Sequence, residues 1–198
     1  ITRLSEREAG NIIDNLMADD ATDLLEEMPA NVVDHLLMNT DEDTRKQVNV
    51  LLKYPEDSAG SIMNVEYIAF SKEMTVEEAI LKIRQVGINR ETIYTCYVLD
   101  KRKLIGVVSL KELLINGDAR TIEEIMETNL LYVHTHDDQE ETASMINRYG
   151  LIAIPVVDNE MRMVGIITVD DAMDVMDEFI DRFGAPPKAV EGLVEVAL

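Results

Sequence analysis

One cysteine, no tryptophan, five prolines and only 18 lysines and arginines occur in a chain of 198 residues. The single cysteine, Cys96, excludes a disulfide framework, and with histidines only at positions 35, 134 and 136 there is no Cys/His zinc spacing. Inside the apolar run Ile93–Leu99, Cys96 reads as a buried structural thiol in a reducing compartment. No apolar run approaches the roughly 18 residues that a membrane-spanning helix needs, and the start carries no signal-peptide pattern. Beginning at Ile1 rather than Met, the chain reads as a piece of something longer. The shortage of positive charge says more. Against 39 acidic residues it leaves a net charge of −21, which argues against nucleic acid, because phosphate contacts need a basic surface, and against an anionic membrane surface. Divalent cations or basic proteins suit such a field, as does plain solvation. No Gly-x-Ser-x-Gly, Walker or other Gly-rich phosphate loop is present, and no acid, base and nucleophile are placed together, so the chain does not read as an enzyme. His134 and His136 alternate beside Asp137 and can touch a metal, but that spacing alone specifies none. His35 reads as a packing or surface residue.

What the chain does contain is apolar residue, at 46%, enough for a real core. Residues 1–53 read as all helix. Ser5 with Glu8 forms a capping-box pattern ahead of Ile12, Ile13 and Leu16. Three short units follow, Asp19–Met28, Asn31–Met38 and Asp41–Tyr54, each opening on Asp or Asn and carrying an apolar pair: Leu24–Leu25, Leu36–Leu37 and Leu51–Leu52. Helices this short are unstable alone, so stacked antiparallel hairpins forming a small superhelix are expected. Residues 54–60, with Pro55 and Gly60, read as a linker.

Beyond it the pattern changes to an internal repeat of strands and helices. The first copy, 61–117, has Ile62-Met63, a strand near Tyr67–Phe70, a helix from Val76, strands at Thr92–Leu99 and Lys103–Leu110, and a helix at Lys111–Ile115. The second, 118–180, has Ile125-Met126, strands at Leu130–Val133, Ile152–Val157 and Met163–Thr168, a helix at Gln139–Arg148, and a last helix from Val169. Each copy is too small for an independent core, so the two are expected to pack together. Along the last helix, spacings of three, four and seven put Asp171, Asp174 and Glu178 on one face, with Asp170 and Asp177 beside them. Like charges at i, i+4 cost roughly 0.2–0.5 kcal/mol per pair, so this face calls for solvent, a basic partner or a cation. Phe183-Gly184-Ala185-Pro186-Pro187 breaks the helix, and 181–198 reads as a tail.

Ile-Met at the start of each copy, the Ile154–Asp158 strand and Val-Gly-Ile-Ile-Thr-x-x-Asp at Val164–Asp171 resemble the cystathionine-β-synthase (CBS) motif. Two copies over residues 58–180 resemble a tandem CBS pair. With the acidic helices before it, Tyr54-Pro55-Glu56-Asp57 and Glu91-Thr92-Ile93-Tyr94, the chain resembles the cytosolic part of the MgtE family of magnesium transporters, over nearly all of residues 10–178. The resemblance implies an α+β multidomain fold: an all-α helical superhelix (1–53), then a tandem CBS-domain pair of small mixed sheets with packed helices. It further implies a homodimer through the CBS domains, a place on the cytoplasmic face of the cell membrane, and a C-terminal transmembrane channel domain absent from this chain.

Two kinds of site follow. For a nucleotide, a CBS pair opens its last helices with Ser/Thr-x-x-Asp, where the helix N-terminus favours phosphate and the carboxylate accepts from ribose hydroxyls. Here the pattern is Ser109-Leu110-Lys111-Glu112 and Thr168-Val169-Asp170-Asp171, with Glu112 in place of the usual Asp, Lys111 able to reach phosphates and Tyr94 able to stack on adenine. Ser109 and Thr168 read equally as plain N-caps. For Mg²⁺, which keeps several waters and uses few protein carboxylates per ion, facing acidic surfaces suffice. The candidates are Asp19, Asp20 and Asp23 in the helical part, Asp138 and Glu140 in the second repeat, and Asp170, Asp171 and Asp174 on the last helix. The family resemblance implies that Asp19 and Asp23 face the CBS pair and that Asp171 and Asp174 contribute to ions. Asn147 and Gly150 stand where the family often has acidic ligands. Each carboxylate by itself also reads as part of a solvated face. The expected function is magnesium sensing for a channel, with Mg²⁺ favouring a compact, pore-closing state. The alternatives are an adenine-nucleotide-sensing module and a scaffold for a basic protein.

Overall fold

The computed structural model describes residues 6–184. Four short helices come first: α1 (Glu6–Ile13), α2 (Ala18–Glu26), α3 (Ala30–Leu37) and α4 (Glu42–Leu51). Ser5 lies outside the described residues. The other openings differ from the sequence expectation. Met17 and Pro29 occupy the N-cap positions of α2 and α3, and neither they nor Asp41 of α4 makes a side-chain cap. Asp19 instead sits in the first turn of α2, where a negative charge suits the helix dipole. Alternate helices pack most closely, α1 on α3 and α2 on α4, rather than successive ones as simple hairpins would. The apolar stripes of these helices thus meet two helices on. Ile13, Leu25, Leu36, Leu37 and Val48 form the core of this unit.

The two repeats have the same plan. In the first, β1 (Ala69–Phe70), α5 (Val76–Val86), β2 (Thr95–Asp100), β3 (Lys103–Ser109) and α6 (Leu110–Ile115) build a three-stranded sheet in the order β1-β2-β3. In the second, α7 (Ile122–Ile125), β4 (Val133–His134), α8 (Gln139–Tyr149), β5 (Ala153–Val157), β6 (Met163–Thr168) and α9 (Val169–Phe183) give β4-β5-β6. Each sheet is mixed: its first pair is parallel and its second antiparallel. The first strands are shorter than their apolar runs suggested, since Tyr67, Ile68 and residues 130–132 carry no strand pairing. Capping boxes at Thr75–Glu78 and Thr121–Glu124 start α5 and α7, and the left-handed Gly184 (φ 74°) stops α9.

The repeats interlock. The segment ahead of each pairs with the last strand of the other, Asn64 with Ile166 and Glu127 with Val107. Glycine permits it. A Cβ at Gly165 would stand 2.7 Å from the Met63 sulfur, and one at Gly106 would stand 2.6 Å from that of Met126. The repeated Ile-Met thus marks a methionine laid over the glycine of the opposite repeat. Tyr97, Leu104, Val157, Met163 and Ile166 fill the shared core between the sheets. The helical unit joins the second repeat through apolar contact as well, because Ala18 and Leu51 are buried in one cluster with Ala59, Met63, Ile154 and Ile167. Among the described residues no helix is long and apolar enough to cross a membrane.

Candidate functional site

Between α2 and α9 lies a cavity of about 530 Å³, and its chemistry is one-sided: ten of its fourteen lining residues are acidic and none is basic. Helix α2 supplies Asp19, Asp20, Asp23 and Glu26, with Glu27 at its C-cap, and α9 supplies Asp171, Asp174 and Glu178 at the three- and four-residue spacing read from the sequence. Glu56 and Asp57 close it from the 54–60 segment.

The carboxylates disturb one another across this gap. Asp171 is pushed up to about 6, mainly by burial and further by Asp19 and Asp170, although Thr168 opposes the rise. Its Oδ2 accepts hydrogen bonds from the Thr168 backbone N–H at 2.8 Å and hydroxyl at 2.6 Å. Asp23 also rises to about 6, through desolvation and then the charges of Glu26, Asp20, Asp171 and Glu178. Desolvation raises Asp19 too, against hydrogen bonds from Asp20 and Asn64. Glu91 reaches about 7, from desolvation and the charges of Asp19, Asp171, Asp170 and Asp20. A pKa rise of this kind means that the ionised form is strained. Carboxylate oxygens are the hard donors that Mg²⁺ takes, and a divalent cation relieves the crowding, so the donor set fits that ion. Among the described residues no three such groups converge closely enough to hold an ion by themselves.

Five candidate metal residues, Asp19, Asp20, Asp23, Asp171 and Asp174, are therefore brought to one cavity. Asp170 is exposed beside it and acts on Glu91 and Asp171 through its charge. Asp138 and Glu140 are set apart. Asp138 caps α8 by accepting from the Glu141 N–H at 2.9 Å, and Glu140 is raised first by burial and next by its hydrogen bond with Asp138. Glu140 borders a small neighbouring hollow with Glu178 and Arg182. The His134 backbone N–H donates to Asp137, while its ring Nδ1 is buried without a hydrogen-bond partner among the described residues, and the His136 ring meets the Thr135 hydroxyl.

The nucleotide candidates fall on both sheets. Ser109 pairs with Thr95 at the start of β2, and the Tyr94 carbonyl accepts from the Leu110 N–H at 2.9 Å. Tyr94, Ser109, Lys111 and Glu112 thus gather where β3 enters α6. Tyr94 is 60% exposed, leaving a ring face free. Ser109 does cap its helix, accepting from the Glu112 N–H at 3.1 Å, and Glu112 accepts from the Asn116 amide. Thr168 and Asp171 hold the corresponding place where β6 enters α9, with Ile152 standing where Tyr94 does. There Thr168 is the N-cap of α9 in a capping box with Asp171, whose carboxylate accepts from both the Thr168 N–H and its hydroxyl. Asn64, Glu66 and Glu91 were not singled out from the sequence as site residues. Nothing periodic marks them, because their placement comes from the interlocked repeats.

Fold and cavity together define a paired CBS-domain protein with an acidic helical domain docked on its second repeat. The MgtE intracellular N domain matches residues 1–57, and the CBS domain matches residues 59–116 and 122–178. The chain is 43% identical over 150 residues to the magnesium transporter MgtE of Thermus thermophilus, covering 73% of this chain and 33% of that protein. It is 36% identical over 187 residues to that of Bacillus subtilis, covering 92% of this chain and 41% of that protein. Among solved structures, the soluble part of a magnesium transporter superposes with a TM-score of 0.87 at 32% identity, covering 90% of this chain and 70% of that one. The cytosolic domain of the Mg²⁺ channel MgtE in complex with ATP gives 0.81 at 39%, covering 88% and 77%. The chain belongs to the MgtE family of magnesium transporters. It spans about a third to two-fifths of the length of these curated relatives.

Proposed function

We propose that this chain is the magnesium-sensing regulatory region of a magnesium channel, lying at the cytoplasmic face of the membrane. The observation that carries the proposal is the cavity between α2 and α9, acidic on both walls and without a lysine or arginine. Asp19 and Asp23 from one wall and Asp171 and Asp174 from the other would hold the ion. Unit charges about 4 Å apart repel by roughly 4 kcal/mol at an effective dielectric of about 20. A few such pairs are enough to separate two domains when bare, and neutralised pairs let the compact state dominate. In the whole protein, compaction would close the pore, with two copies of α9 related across a CBS homodimer. Asp20, Asp170, Asp138 and Glu140 are assigned supporting roles, the last two at a separate position. The test is small-angle scattering during titration with MgCl₂ at constant ionic strength, which removes ordinary screening. The radius of gyration falls at millimolar Mg²⁺, and the fall is lost when Asp19, Asp23 and Asp174 become Asn. An unchanged radius sinks the bridging mechanism.

A second ligand is supported by the clustering of Tyr94, Ser109, Lys111 and Glu112 at one helix start and by the ATP complex of the related cytosolic domain. An adenine nucleotide there would stack on Tyr94 and place its phosphates near Lys111. Thr168 and Asp171 form the equivalent position, but Asp171 faces the acidic cavity, which disfavours a phosphate beside it.

A further inference from the structure

Helix α6 ends in a chain of side-chain hydrogen bonds that begins at a candidate nucleotide residue and leads away from it. Glu112, in the first turn of α6, is half-buried. One turn on, at the C-cap, stands Asn116. Its Nδ2 donates to the Glu112 carbonyl at 2.9 Å and to the Glu112 carboxylate oxygen Oε2 at 3.1 Å. The Asn116 Oδ1 accepts from Arg120 Nη1 at 2.7 Å, which fixes the orientation of the amide. Arg120 is held in turn. Its Nη2 donates to the Glu124 carbonyl at 3.2 Å, and its Nε stands 3.9 Å from the Glu124 carboxylate. The α7 capping box fixes that carboxylate, which accepts from the Thr121 N–H at 2.9 Å. Side chains at four-residue intervals thus run from Glu112 to the start of α7.

Capping α6 does not require the bond to Oε2, because the Asn116 backbone N–H already donates to the Glu112 carbonyl at 3.2 Å. The extra bond acts on the carboxylate. With Oε2 engaged, Glu112 presents Oε1, which has no hydrogen-bond partner among the described residues. A carboxylate oxygen carries two lone pairs, so Oε1 alone can accept from both hydroxyls of a ribose. A free glutamate loses rotamer freedom when it grips a ligand, whereas here that loss is taken at folding. The guanidinium against Oδ1 polarises the amide and strengthens its hold on Oε2.

We propose that Asn116, held by Arg120, is a positioning residue that presets the Glu112 carboxylate, and that this brace sets how strongly the site prefers a ribonucleotide to its 2′-deoxy form. The proposal rests on the nucleotide reading above, in which Tyr94 stacks on the base. A rigid acceptor is left unpaired when the 2′ hydroxyl is missing, whereas a loose one swings out to water. Loosening Glu112 therefore costs the ribonucleotide and spares the deoxynucleotide.

Equilibrium dialysis of the chain against ATP and against 2′-deoxy-ATP, at fixed MgCl₂, reads the ratio of the two affinities. Glu112→Ala sets the floor of that ratio. Asn116→Ala lowers the ratio roughly 2- to 12-fold, the cost of ordering one long side chain at binding. Arg120→Ala lowers it less, because Asn116 remains, and Asn116→Asp, which turns an acceptor towards Oε2, lowers it at least as far as Asn116→Ala. In a Glu112→Ala background, Asn116→Ala changes the ratio no further, the non-additivity of residues that act through one another. Thermal unfolding confirms that the variants are folded; should Asn116→Ala unfold, Arg120→Ala, at an exposed position, carries the test. An Asn116 that only caps α6 weakens both nucleotides together and leaves the ratio unchanged, which overturns the proposal. So does an Asn116→Ala effect that persists in full without Glu112. ATP binding with a ratio indifferent to Glu112→Ala removes Glu112 from the ribose and the brace with it. No binding of ATP to the unsubstituted chain overturns the nucleotide reading itself, and is told apart because no ratio then exists.

Discussion

Replacing Asp171 by Asn makes the metal-free chain more stable, although it removes a charge from the middle of the candidate site. Asp171 is partly buried, and its carboxyl is raised from 3.8 to about 6. Since one pH unit is 1.36 kcal/mol, ionised Asp171 costs the folded state about 3 kcal/mol at neutral pH. The sign follows from the direction. A carboxyl raised on folding destabilises above its folded pKa, and the cost fades as pH falls through about 6 towards 3.8. Asn keeps one acceptor for Thr168, which now donates twice to Oδ2, so about 1 kcal/mol of capping is at risk. The net gain is about 2 kcal/mol, or roughly 4–8 °C in Tm for a chain of this size. The assay is calorimetric or urea unfolding at pH 7.5, in EDTA and in MgCl₂. Asp171→Asn unfolds higher than the unsubstituted chain in EDTA, its extra stabilisation by Mg²⁺ is smaller, and its stability changes less between pH 7.5 and 5. A variant less stable in EDTA, or one with undiminished Mg²⁺ dependence, refutes the view that repulsion at Asp171 opposes the compact state.

Three further outcomes are expected. Glu91 is raised from 4.5 to about 7, so stability declines as pH rises from about 4.5 to about 7 and levels off above it, and Glu91→Gln flattens the decline in a thermal-shift series from about pH 5 to 8; an unaltered slope removes Glu91 from the network. Tyr94→Ala weakens binding of ATP by roughly 5- to 150-fold, from the 1–3 kcal/mol typical of base stacking, as read by equilibrium dialysis; unchanged affinity moves the adenine elsewhere. Gly165→Ala forces a Cβ to within 2.8 Å of the Asn64 carbonyl and lowers the urea midpoint by an amount equivalent to about 1–3 kcal/mol, and a neutral result contradicts the close crossing of the two repeats.

The sequence by itself determined the classes of structure and the sign of the chemistry. Short continuous apolar runs at 95–100 and 163–168, capped helix starts and two copies of one order specify paired α+β units, because local backbone preference and apolar patterning are written residue by residue. Helical spacing alone put Asp171, Asp174 and Glu178 on one face, and the structure lines a single cavity with all three. What faces that stripe is another matter. That Asp19, Asp20 and Asp23 stand across from it, while Asp138 and Glu140 stand apart, depends on how four short helices settle on the second repeat, through Ala18 and Leu51 in a core more than a hundred residues away in the chain. The same is true of Asn64. An asparagine after Ile-Met carries no signal of its own, and only the interlocked strands, which pair it with Ile166, bring its amide between Asp19 and Glu91. Local propensity acts over a few residues, whereas burial and charge repulsion act between whatever surfaces the chain brings together. The acidic stripe was therefore legible in the sequence, and its partner across the cavity was decided by tertiary packing.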